Sequence, residues 1–123
     1  MKLQLDSGDS QFAITSYGVG QVVVNEERLT RSCIVGPGGL VRDWGPGDVR
    51  EMLPRHLEAI LALEPEVIIL GTGARQIFPD TRVMEPLIRR QVGLEVMDTG
   101  AACRTYNILL AEGRRIAAGL MMI

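Results

Sequence analysis

Pro65-Glu66-Val67-Ile68-Ile69-Leu70-Gly71-Thr72-Gly73 holds four consecutive apolar residues, three of them β-branched, stopped by a glycine-threonine-glycine turn. A run this short and apolar on both alternating faces predicts a strand buried on both sides, as in a parallel sheet. Working upstream, Asp48 with Glu51 resembles a capping box, but Pro54 would break a helix that ran through it. A single turn at 48–53 followed by a helix at 54–63 opened by Pro54 fits better, with Leu57, Ile60 and Leu61, extended by Leu63, as its apolar stripe. Downstream, a helix is expected at about 81–91, with Pro86 disturbing its start, then a strand at 94–97. Asp98 or Thr99 caps a further helix running to about Ala111, which Glu112-Gly113 closes. Ile116 to Ile123 is small or apolar on both alternating faces and reads as an interior strand.

The first third has a different character. A strand at 14–17 precedes a hairpin of 21–24 with 29–35 around the polar loop Asn25-Glu26-Glu27-Arg28. Turns at Gly36-Pro37-Gly38-Gly39 and Gly45-Pro46-Gly47 bracket a short strand at 40–44. Strands first and strand–helix alternation afterwards predict a three-layer α/β domain. Its central mixed β-sheet carries packed helices, with an antiparallel β-hairpin portion beside it. Residues 1–10 are expected as a flexible arm and 11–123 as one domain, with no linker or internal repeat.

Composition narrows the function classes. Thirteen basic against fifteen acidic side chains in 123 residues give a net charge of −2, unsuited to neutralising many phosphates. Nucleic acid is therefore disfavoured as the main partner. No run reaches the roughly 18 apolar residues of a membrane helix, and Met1 to Phe12 has no signal-peptide core, so a soluble cytoplasmic protein is expected. Cys33 and Cys103 match no zinc or redox spacing and are read as buried thiols of a reducing compartment, a disulfide between them staying open. No cluster has metal-ligand spacing, and no cofactor is expected. His56, the only histidine, sits beside Arg55 and is expected to be exposed rather than catalytic. No nucleophile–base arrangement is legible, so binding is favoured over enzymatic turnover. Trp44 fits either a core lid or an exposed anchor.

Gly71-Thr72-Gly73 lies where open α/β sheets place their ligand crevice, at the carboxyl end of a strand. Asp98, ending the next strand, stands where dinucleotide folds hold ribose. The fingerprint then fails: Gln76 occupies the third glycine position, and Pro79 interrupts the stretch that should open a helix. A tight turn without ligand is the plainer reading. On the helix after Asp98, Ala102, Tyr106, Leu109 and Leu110 should face the sheet, leaving Arg104 and Asn107 three apart on the opposite side. Such a cation and amide suit an anionic ligand or a partner protein; a solvated face is the alternative. The helix N-terminus at Asp98-Thr99 suits an anion only if Asp98 is itself the cap. A site requires the two strand-to-helix junctions to share one rim and one hollow.

The segments Pro65–Gly73, Val96-Met97-Asp98-Thr99, Ala101-Ala102-Cys103-Arg104-Thr105-Tyr106-Asn107 and Glu112-Gly113-Arg114, in this order, resemble one family. It comprises small bacterial and archaeal proteins related to mitochondrial complex I (NADH:ubiquinone oxidoreductase) assembly factor 3 and to an adipogenesis-associated domain protein. The resemblance covers about residues 10–123. It implies the three-layer fold, no assigned reaction, and a chaperone-like assembly role by analogy with the mitochondrial relative. It makes Gly71, Thr72, Gly73, Asp98, Thr99, Arg104 and Asn107 candidates for a shared binding surface. Lacking a mitochondrial targeting segment, the chain is expected to be a bacterial cytosolic protein. The favoured function is a non-enzymatic binding protein with a protein partner, an assembly factor for a respiratory or membrane complex. The rival is a small-molecule or nucleotide-binding protein, an enzyme among the options, using the crevice between Gly71-Thr72-Gly73 and Asp98-Thr99 for an anionic ligand. A homo-oligomer through the hairpin edge or the Arg104 face is the third reading.

Overall fold

The computed structural model describes residues 11–123; the arm expected at 1–10 lies outside the described residues. Its centre is the strand read first, β6 (Val67–Thr72), which pairs in parallel with β7 (Gly93–Met97) on one side and β8 (Ile116–Met121) on the other. β8 in turn pairs antiparallel with β4 (Cys33–Gly36), and β4 with the edge strand β5 (Gly39–Val41), giving the mixed order β5-β4-β8-β6-β7. β1 (Ile14–Gly18), β2 (Gln21–Val24) and β3 (Glu27–Leu29) form a separate three-stranded antiparallel sheet. Three α-helices occur among the described residues: α1 (Pro54–Leu61), α2 (Glu85–Arg90) and α3 (Thr99–Ala111).

Alternation along the two central strands builds the layers. Ile69 of β6 with Ile116, Ala118 and Leu120 of β8 points into a core shared with α3 and the small sheet. Ile68 and Leu70 with Ala117 and Met121 point the other way, onto α1, α2 and Trp44. Burial of both faces is what an all-apolar central strand requires. Trp44 is a core lid: it is 7% exposed and its Nε1 donates to the His56 carbonyl at 3.0 Å. Its ring lies over Gly119, where a Cβ would stand 2.7 Å from Trp44 Cη2. Cys33 and Cys103 are free buried thiols of the α3-side core, each pushed up to about 12 by burial, so the unreactive thiol form prevails.

Several boundaries differ from expectation. The hairpin loop is two residues, not four: Val24 pairs with Glu27, because Asn25 takes a left-handed φ of 54° that asparagine tolerates. The strand expected at 29–35 is split, β3 ending at Leu29 and β4 beginning at Cys33 in the other sheet. The strand expected at 40–44 stops at Val41, since the chain must turn Trp44 inward. The helix at 81–91 divides into a 3-10 turn, Thr81–Met84, and α2, with Pro86 in the first turn of α2. Leu109 and Leu110 are only half-buried, unlike Ala102 and Tyr106.

A short internal repeat also emerges where none was expected. Asp48-Val49-Arg50-Glu51-Met52-Leu53-Pro54 and Asp80-Thr81-Arg82-Val83-Met84-Glu85-Pro86 share Asp, Arg, Met and Pro at matching places. Each aspartate caps a 3-10 turn by accepting the N–H of its arginine, at 2.8 and 2.9 Å, and a proline-bearing helix follows each turn. Both arginines are exposed in these ion pairs, so the pairs shape the turns more than they stabilise the fold.

His56 is partly buried and has a local duty. Leu53 has no side-chain acceptor to cap α1, and His56 Nδ1 accepts the Leu53 N–H at 2.9 Å instead. Burial, then the Arg55 charge, hold its pKa below the ordinary histidine value. The unfolded chain therefore takes up this proton at higher pH than the folded chain does. Stability is full above the ordinary histidine range and declines as pH falls through it, until the folded chain is protonated too. Melting temperatures measured between about pH 7.5 and 5.5 are expected to fall with acidification, and His56→Gln to flatten the decline. An unchanged slope in His56→Gln would assign the decline to other groups.

Candidate functional site

Because β6 and β7 are parallel neighbours, their following junctions leave the same edge of the sheet, with Gly71 paired to Met97. The two junctions thus share one rim, and their polar groups converge on one another. Thr99 is fully buried; its Oγ1 donates to the Met121 carbonyl at 2.6 Å and accepts the Gly73 N–H at 2.8 Å. The Gly73 carbonyl accepts the Thr99 N–H at 2.9 Å. Thr72 Oγ1 donates to the Arg75 carbonyl, accepts the Ile77 N–H at 3.1 Å and lies 3.3 Å from the Met97 carbonyl. Gln76, where a dinucleotide loop would have glycine, caps the Val96 carbonyl at 2.9 Å.

The glycines of this turn serve packing and reversal. A Cβ at Gly71 would stand 2.9 Å from Thr99 Oγ1 and 3.0 Å from Ala102 Cβ, so the absent side chain lets α3 seat on β6. Gly73 has φ +91°, a backbone that other residues rarely adopt. Asp98 is the cap of α3, its carboxylate accepting the Ala101 N–H at 2.9 Å. That carboxylate, with the Gly73 carbonyl on Thr99 N–H, occupies the helix end where an anion would sit.

Arg104 and Asn107 both engage β1, so the opposite side of α3 is not simply solvated. Asn107 Oδ1 accepts the Ile14 N–H at 3.0 Å, and its Nδ2 donates to the Ile14 carbonyl. The side-chain amide thereby extends the small sheet by one backbone-like rung. Arg104 Nη1 donates to the Tyr17 hydroxyl, and its guanidinium carbon lies 5.9 Å from the centre of the Tyr17 ring. The sequence reading missed Tyr17. Its ring rests on Gly100, 3.1 Å from where a Cβ would project. A glycine in the first turn of an otherwise good helix was the available signal.

The rim is completed by the β1–β2 turn, whose Gly20 N–H donates to the Ile123 carbonyl at 3.1 Å. Val19 at that turn is 86% exposed. Among the described residues, cavities of about 380, 240 and 180 Å³ are lined by none of Thr72, Asp98, Thr99, Arg104 or Asn107. The first of these runs between the two repeated turns, past Arg50, Leu53, Pro54, Arg82 and Val83. Among the described residues no three His, Cys, Asp or Glu side chains gather as a metal site, and no helix is long and apolar enough to cross a membrane.

A family model described as a protein of unknown function (DUF498/DUF598) matches residues 14–121. The chain belongs to this family. Among curated relatives, NADH dehydrogenase (ubiquinone) 1 alpha subcomplex assembly factor 3 of Xenopus tropicalis is 30% identical over 98% of this chain and 66% of its own length. The Danio rerio protein of that name is 36% identical over 88% of this chain and 63% of its own. The chain thus spans about two-thirds or less of these relatives. A crystal structure from Bordetella parapertussis superposes with a TM-score of 0.87 at 37% identity, covering 93% of this chain and 98% of that one. A Mth938-like domain from Bordetella pertussis gives 0.81 at 32% identity over 99% and 92%. This chain thus has the α/β fold and the likeness to complex I assembly factor 3 that the resemblance of its motifs implied.

Proposed function

We propose that this chain is a non-enzymatic binding protein that assists assembly of a respiratory or membrane complex, acting in the bacterial cytoplasm. The relatives named as assembly factors support this reading, since they match nearly the whole of the described chain. The rim adds the observation that carries it. The side chains of Thr72, Thr99 and Asn107 direct their polar groups at neighbouring backbone, leaving an outward surface of Tyr17, Val19, Arg104 and Ile108. Tyrosine and arginine on a rigid frame suit a protein interface. The rival reading, an anionic metabolite or nucleotide between Gly71-Thr72-Gly73 and Asp98-Thr99, has less support because those groups already satisfy one another.

Deleting the gene in its host and resolving membrane complexes on native gels tests the proposal. Loss of an assembled complex is expected, with a subcomplex accumulating and co-purifying with the tagged chain. Unchanged complexes, together with a chain that purifies alone, would remove it.

A further inference from the structure

α3 carries one charged side chain, Arg104, in thirteen residues. A surface helix ordinarily sets an apolar stripe against a charged face, as α1 does with Arg55 and Glu58 outside and Leu57, Ile60 and Leu61 inside. α3 is apolar or small nearly all round. Its inner face meets β6 and β8, and its flank meets β1. Its outer face presents Ala101, Thr105 and Ile108, the last 59% exposed. An outer face whose polar side chains are only Thr105 and Arg104 is one that a helix more often covers than leaves to water.

The same face holds an oriented guanidinium without a carboxylate. Of the other arginines, Arg31, Arg42, Arg50, Arg82, Arg89 and Arg114 each lie within 4.0 Å of an acidic side chain. Arg28, Arg55, Arg75, Arg90 and Arg115 have none so close among the described residues; Arg104 differs from these in being held by an aromatic side chain. Among the described residues Arg104 has none so close, and its one side-chain hydrogen bond is to Tyr17. Held by the Tyr17 hydroxyl and ring, it has already lost much of its rotamer freedom and retains donors for a fork-like contact. One turn along the helix, Ile108 supplies exposed hydrocarbon.

Resting on the assembly reading above, we infer that this face of α3 docks a segment of another protein that sets an Asp or Glu on Arg104 and aliphatic side chains on Ile108. Charge complementarity selects that occupant: Thr99–Ala111 itself carries no carboxylate, and the nearby Asp98 carboxylate is engaged as the helix cap. The carboxylate supplies register and the hydrocarbon supplies burial.

Photo-crosslinking in the host tests this, with benzoylphenylalanine replacing Ile108 in the full chain and, separately, replacing Phe78 as an exposed control. Crosslinks from position 108 are expected to map to one peptide of another protein that contains Asp or Glu among aliphatic residues. Arg104→Glu should cut their yield about tenfold or more, and Arg104→Lys less. Changing the partner's acid to Arg should restore crosslinking to Arg104→Glu. Arg104→Gln, neutral and of similar reach, covers the case in which Arg104→Glu is unstable, and should also lower the yield. Crosslinks from 108 to another copy of this chain, no crosslink there, a captured peptide without an acid, or indifference to Arg104→Glu and Arg104→Gln would each overturn the inference. A defined partner crosslinked only from Phe78 would overturn it while leaving the assembly reading in place.

Discussion

Thr99→Val is expected to lower the unfolding free energy by about 2–4 kcal/mol, measured by urea denaturation, while leaving the side-chain volume almost unchanged. The hydroxyl joins three elements: it sits on α3, accepts from Gly73 beyond β6 and donates to Met121 at the end of β8. Removing it leaves a backbone N–H and a carbonyl without partners in a fully buried place. Each such orphan costs about 1–3 kcal/mol, and local relaxation recovers part of the sum. Thr99→Ser keeps both hydrogen bonds and should lose only about 1 kcal/mol, for one buried methyl. If the two variants were equally stable, or Val the more stable, the hydroxyl would not be the fastener of the rim.

Asn107→Leu is the second large effect, expected at about 2–3 kcal/mol. Ile14 is 4% exposed, and both its backbone groups face the Asn107 amide. Breaking that rung should release the small sheet before the rest of the molecule. Amide hydrogen exchange in β1, β2 and β3 should accelerate well before exchange in β6 or β8 changes. An asparagine held in reserve for a ligand predicts the opposite, a stability change within about 0.5 kcal/mol and no local loss of protection.

These two residues show what kind of information pattern carries. Val67–Leu70 announced a strand buried on both faces, because apolar residues on alternating sides leave no face for water. Pro54 and the stripe Leu57, Ile60, Leu61 announced α1, and small residues on both faces announced β8. Thr99, Asn107 and Arg104 were legible as positions of interest, but their partners were not. Ile14 lies 93 residues from Asn107 in the chain, and Tyr17 lies 87 from Arg104. No spacing rule reaches across such separations. A seven-residue repeat stood in plain view, yet its four shared residues acquire meaning only when both turns fold alike.

The chain's own order of residues determined the layers. Periodicity of two or of 3.6 dictates which side of each element must leave water, and that is a local property. Whether a hydroxyl or an amide faces solvent, a ligand or a backbone was decided only by tertiary structure. Hydrogen-bonding groups pair with whatever the fold brings within about 3 Å, and four distant segments meet at this rim.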